Sequence, residues 1–218
     1  MRMILLLGWL AFVLYALAAA PGERGGADIV MKELFTLQTR EPTLLMLFAL
    51  LGLYPMAYAC LLLRRDTAGI PAWPFVIGSF AFGAFALVPY FWLRLQFPLP
   101  RGNRTPARIR RVLESRVTYT VLLLLAAVLF AYGLIAGDWR TYGEAFRASQ
   151  FVSVMTVNFA VLTLLAVWAI NEDRKREEQP AAMALLGFIP FIGLLIYLYG
   201  THAGVRSGAY TKPLRQKR

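Results

Sequence analysis

The sequence predicts an all-α, polytopic helical membrane protein of about six transmembrane helices, arranged as two inverted three-helix repeats. Three observations predict it. The 218 residues are 59% hydrophobic and only 16% charged, with a mean hydropathy of +0.57, whereas a soluble domain is about 45–50% apolar and about 25% charged. The apolar residues come in runs of about 20, the length that crosses a bilayer as a helix, rather than on amphipathic faces. The two halves of the chain also overlay: with Glu33 and Phe35 laid on Glu144 and Phe146, Phe48 falls on Phe159 and Arg64-Arg65-Asp66 on Lys175-Arg176-Glu177.

Taken in order, residues 3–20 are the first expected helix. Arg2, the apolar stretch and Ala16, Ala18, Ala19 and Ala20 before Pro21 also describe a cleavable signal peptide. The length of the run and the bulk of Trp9 and Tyr15 favour a retained helix. Asp28 then opens a stretch, IVMKELFTL, read as a short surface helix. Segments 43–63 and 72–95 are the second and third helices and contain Pro55 and Pro89; proline kinks a helix, and membrane helices tolerate it where neighbours resatisfy the freed carbonyl. The connection 101–116 carries Arg101, Arg104, Arg108, Arg110, Arg111 and Arg116 against Glu114 alone. Thr105-Pro106 makes a helix start as N-cap and first residue. Ile109, Val112 and Leu113 lie opposite Arg104, Arg108 and Arg111, the pattern of a basic helix lying on anionic headgroups. Segments 117–136, 150–170 and 182–200 are the remaining helices, the last bent or partly broken around Pro190. Trp73, Trp92 and Trp139 near segment ends serve as interface anchors. The expected organisation is a first repeat over 1–100, an interfacial connector over 101–116, a second repeat over 117–200, and a basic flexible tail over 201–218.

Three helices per repeat is an odd number, so the second copy enters the bilayer from the opposite side, the inverted arrangement of many transporters. The connection 96–116 and the tail then lie on opposite sides. Lys and Arg divide almost equally between the two faces, and the positive-inside rule leaves the orientation undetermined.

Within the segments, Asn158 stands near the centre of the fifth, with Thr156 on a nearby turn. A buried amide in lipid finds an interhelical partner, so helix-helix glue is the first reading and a ligand contact the second. Ser79 and Gly83 form a small-xxx-small pair that permits close helix approach, and Pro190 marks a bend that can line a binding site. Phe75, Phe80, Phe82 and Phe85 are expected to face lipid or fill gaps. No Asp, Glu, Lys or His lies mid-segment, and no G-x-S-x-G, GxxxxGK[ST], HExxH or CxxC occurs. No catalytic residue and no metal ligand is therefore assigned. No cofactor is predicted, although a bound pigment or lipid stays open. The net charge of +11 comes from short basic segments between apolar runs, which suits anionic lipid headgroups rather than nucleic acid. Cys60 is the one cysteine, so no intrachain disulfide forms.

The run Pro71-Ala72-Trp73-Pro74-Phe75 through Gly83-Ala84-Phe85-Ala86-Leu87-Val88-Pro89-Tyr90 resembles a family of multi-span membrane proteins of photosynthetic lineages to which no activity is assigned. The likeness continues through Tyr132-Gly133-Leu134, Gly137-Asp138-Trp139, Phe151–Phe159 and Pro190–Tyr197. Where that family carries an acidic residue, this sequence has Asn158. The resemblance implies a six-helix integral membrane protein and no chemistry. Three function classes follow in order: a non-enzymatic scaffold or assembly factor with a membrane-protein partner, a small carrier or binding protein for a neutral or lipophilic molecule, and a lipid-acting enzyme.

Overall fold

In the computed structural model the chain is all helix, with α1 (Arg2–Leu14), α2 (Ile29–Phe35), α3 (Pro42–Leu62), α4 (Trp73–Phe82), α5 (Ala84–Gln96), α6 (Ala107–Leu113), α7 (Arg116–Ala136), α8 (Trp139–Ala148), α9 (Gln150–Arg176) and α10 (Ile192–Arg206). A π turn (Tyr15–Ala19) prolongs α1, and 3-10 helices follow α3 (Leu63–Arg65) and precede α10 (Ala181–Phe188). The structure describes residues 2–23, 28–36, 38–97, 102–176 and 179–206, with side chains as far as Thr201. Arg101, the His202 side chain and the tail beyond Arg206 lie outside the described residues.

Local sequence fixes the helix starts. Asp28 accepts a hydrogen bond from Met31 N at 3.0 Å and Glu41 from Leu44 N at 2.8 Å, just before Pro42. Ser115 accepts from Val117 N and Asp138 from Arg140 N. Each satisfies an amide that the first helical turn leaves unpaired. The Asp138 carboxyl is held below its ordinary value by the Thr141 hydroxyl and then by the Arg140 amide. The basic connector forms the expected helix one residue late: Pro106 is the N-cap in place of Thr105, and α6 begins at Ala107.

Among the described residues four stretches are long and apolar enough to cross a membrane: Arg2–Ala19, Pro42–Arg65, Arg116–Ala136 and Gln150–Arg176. They match the first, second, fourth and fifth expected helices. The third differs from expectation, while the sixth is broken at Pro190–Phe191, where a bend or partial break was expected.

Over 72–95 the chain forms two helices folded against each other. The rings of Phe75 and Tyr90 lie 5.4 Å apart, a Cβ on Gly78 would meet Ala86 at 3.5 Å, and Gly69 N donates to Phe97 O at 3.0 Å. A continuous helix would separate residues 75 and 90 by about 22 Å. Thus α5 returns antiparallel along α4, and both outer ends sit at the same end of the bundle. The reversal is made at Gly83, whose φ of 54° and ψ of −123° belong to a region that side chains exclude.

The last segment behaves alike. The 3-10 helix runs back along α9, where Gln179 N donates to Arg174 O at 3.0 Å and Gly187 lies against the Val167 backbone. The chain reverses at Phe191, which holds a φ of 61°. From there α10 runs beside α3: Phe191 N donates to Tyr54 Oη at 3.0 Å, and Arg64 Nη1 donates to Thr201 Oγ1 at 3.2 Å.

One end of the bundle gathers the hairpin openings, the α6 connector and the C-terminal ends of α3 and α9. There Arg64 forms an ion pair with Asp173, which also accepts from Tyr197 Oη at 2.7 Å, and Arg104 N donates to Asp66 O at 3.2 Å. The far end is joined by Tyr15 with Ser153 at 2.7 Å, Ser149 Oγ donating to Asp28 at 2.6 Å, and Asp138 N donating to Glu41 at 2.8 Å. Each half therefore repeats one order, which is long helix, short helix, long helix, hairpin. It contains two long helices and a hairpin where three full-length helices were expected.

Candidate functional site

The α4–α5 reversal opens a cavity of about 450 Å³ between α3, α9 and the hairpin tip. Six phenylalanines line it: Phe35 from α2, Phe48 from α3, Phe80, Phe82 and Phe85 from the hairpin, and Phe151 from α9. Phe35 and Phe48 meet edge to face at 5.6 Å, and Phe35 lies 5.4 Å from Phe151. Of the four hairpin phenylalanines expected to face lipid or fill gaps, Phe80, Phe82 and Phe85 are cavity wall, while Phe75 packs on Tyr90.

Asn158 supplies the polar point. It stands eight residues into α9, ~12 Å from that helix's start, and its Oδ1 accepts from Ala84 N at 2.8 Å. That bond caps the first turn of α5 and fixes which end of the amide is oxygen. Nδ2 lies against Gly83, nearer than Oδ1 to a Cβ built there. Nδ2 has no hydrogen-bond partner among the described residues, and Asn158 lines the cavity. Gly83 is required here twice over: its backbone needs positive φ, and a Cβ would come within 2.7 Å of Asn158 Oδ1. Ser79 is buried; its Oγ donates to Val76 O at 2.7 Å, and its carbonyl accepts from Gly83 N at 2.8 Å. Three of the sequence-singled residues, Asn158, Ser79 and Gly83, are thereby brought to one site.

The others are elsewhere. Thr156 bonds Tyr142 Oη at 2.6 Å and ties α8 to α9. Pro190 sits at the second reversal, where Tyr54 takes the capping role that Asn158 has at the first. Each reversal is thus capped by a side chain from the second long helix of the opposite half. Arg104 donates to Gly69 O at 3.1 Å and faces Asp66 at 3.7 Å, so it braces the loop before α4. Burial lifts the Asp66 carboxyl above its ordinary range, outweighing the Ala72 amide and the Arg104 and Arg94 guanidiniums. Arg108 and Arg111 are exposed, as are Ile109 and Val112, while Leu113 is buried.

Sequence reading missed the Arg64–Asp173–Tyr197 cluster, because its members stand on three helical segments far apart in the chain. The overlay of Arg64-Arg65-Asp66 on Lys175-Arg176-Glu177 was the signal that these ends are equivalent. Among the described residues no group of His, Cys, Asp and Glu is placed to hold a metal. No family model, no curated protein and no solved structure matches the chain.

Proposed function

We propose that this is a multi-pass integral membrane protein that binds a neutral, lipophilic molecule bearing an acceptor oxygen in the phenylalanine-lined cavity. The observation that carries this reading is Asn158, a cavity-lining residue whose Oδ1 caps α5 and whose Nδ2 has no hydrogen-bond partner among the described residues. A mostly apolar cavity of a few hundred Å³ with one or two fixed polar groups is the usual form of a small-molecule site. Aromatic walls favour a flat or polyene ligand through ring contacts. A charged ligand finds no counter-charge among the lining residues. This favours the second of the three function classes over the scaffold.

The experiment is purification in mild detergent followed by solvent extraction and mass spectrometry. The wild type is expected to carry a neutral lipophile in stoichiometric amount. Gly52 lines the cavity and a Cβ there meets nothing within 4 Å, so Gly52→Leu fills the site without touching the cap and should release the molecule with no loss of thermal stability. Asn158→Leu should release it and also lower the melting temperature, since α5 loses its cap. Retention unchanged in both variants would refute the reading. A protein partner in place of a small molecule would restore the scaffold.

In the same reading the four long helices are the spans and the two hairpins are re-entrant, a geometry allowed at membrane depth where protein covers the backbone. Two crossings per half bring the second copy in from the same side, so the repeats are parallel, related about the membrane normal, in place of inverted. Charge supports this. Lys32, Arg40, Arg140 and Arg147 are the described basic side chains of the far end, and the other described Lys and Arg side chains belong to the end with the hairpin openings. By the positive-inside rule that end is cytoplasmic. Reporter fusions at Asn103 and at the C-terminus are expected on the same, cytoplasmic side, with one at Thr141 opposite. Opposite reports from Asn103 and the C-terminus would restore an odd count between them.

A further inference from the structure

A second hollow of about 470 Å³ lies at the end of the bundle with the hairpin openings, remote from the phenylalanine cavity. It draws one guanidinium from each of three helices: Arg2 from the start of α1, Arg94 from the last turns of α5 and Arg176 from the end of α9. None of the three makes an ion pair or hydrogen bond with another described residue. The one carboxylate lining the hollow, Glu172, is taken by Lys175 Nζ at 2.8 Å. The neighbouring acids are also engaged, Asp173 with Arg64 and Asp66 with Arg104. Trp168 closes one wall, its Nε1 buried without a partner.

Helix C-termini explain a basic residue at the ends of α5 and α9, but not why these converge with a third on an open hollow that has no free counter-charge among the described residues. Gathering like charges costs free energy, and a bound anion removes that cost. Guanidinium pairs match phosphate oxygens in bidentate fashion, and basic pockets between helices at the cytoplasmic face take lipid phosphates. We propose that Arg2, Arg94 and Arg176 form a phosphate-binding site whose ligand is the phosphate of an anionic lipid headgroup or a free phosphate ester. The inference rests on the multi-pass reading only for the lipid source.

The test uses the full chain, delipidated in neutral detergent. Dioleoyl phosphatidic acid, dioleoyl phosphatidylcholine, glycerol 3-phosphate and inorganic phosphate are added in separate arms, with binding read by native mass spectrometry and thermal shift. Phosphatidic acid is expected to bind about tenfold more tightly than phosphatidylcholine. In R94Q/R176Q that preference should vanish, in R94K/R176K it should return in part, and in R147Q, an exposed arginine of α8 at the far end, it should stay. Protection by phosphatidic acid alone identifies a headgroup, and equal protection by glycerol 3-phosphate or inorganic phosphate identifies a free phosphate. No anionic preference in the wild type, or an equal loss in R147Q, overturns the site in favour of diffuse surface charge. The neutral molecule in the phenylalanine cavity is scored in the same spectra, so loss of one site is distinguished from loss of the other.

Discussion

Gly83→Ala is expected to destabilise the protein by on the order of 3 kcal/mol and to empty the phenylalanine cavity. Two costs combine. A side chain at φ 54°, ψ −123° carries backbone strain of about 1–3 kcal/mol, and overpacking costs about 1–3 kcal/mol more. The clash is with the Asn158 amide, with Oδ1 only 2.7 Å from the new Cβ. Asn158 must swing away, Ala84 N loses its acceptor, and the tip of the hairpin loosens. Gly52→Ala is the control: it lines the same cavity from within α3, meets nothing within 4 Å, and should be neutral or stabilising by about 0.5–1 kcal/mol because glycine is poor in a helix. Thermal unfolding in mild detergent measures both. Equal stability of the two variants would mean that the 72–95 segment does not reverse at Gly83.

Asp173→Ala is expected to cost about 3–5 kcal/mol, the usual result of stripping one partner from a buried ion pair. Arg64 and Asp173 are 8% and 13% exposed. Arg64 already leaves Nε without a hydrogen-bond partner, so it has no spare partner to accept its charge. Tyr197→Phe removes one hydrogen bond to the same carboxylate and should cost less, about 1.5–3 kcal/mol. Glu144→Ala, which breaks an exposed pair with Arg140, should change little. Arg64→Met with Asp173→Leu should recover most of the loss, because apolar replacement of both partners removes the stranded charge. A loss from Asp173→Ala no larger than that from Glu144→Ala would show that water reaches Arg64. The cluster joins α3, α9 and α10, so its failure should also release the second hairpin.

Much of the architecture was legible because it is local. Runs of apolar residues the length of a bilayer gave the four long helices. Asp28, Glu41, Ser115 and Asp138 mark helix starts by a chemistry that needs only the next three residues. Asn158, Ser79 and Gly83 stood out because a polar or very small residue in an apolar helix needs a reason, and all three stand at the cavity. Hydropathy could not distinguish a helix that crosses from one that turns back, since α4 and α5 together have the same length and greasiness as a span. Gly83 read as a packing position when its use was a positive φ. The count of three crossings per half, and with it the expectation of an inverted repeat and balanced charges, rests on taking each such segment as one span.

The sequence by itself determined that the chain is helical, that its apolar residues come in runs of membrane-spanning length, read as six, and that its two halves overlay; the structure makes four of those runs single long helices. The first three follow from composition and periodicity, which act residue by residue. Only the tertiary structure decided that residues 72–95 and 181–206 are hairpins, that Asn158 and Tyr54 cap them from the opposite half, and that Arg104 braces Asp66. It also brought Arg2, Arg94 and Arg176 to one hollow. Each of these depends on contacts between residues far apart in the chain, whose energies are set by which helices become neighbours, and no local pattern of hydropathy or charge encodes that choice.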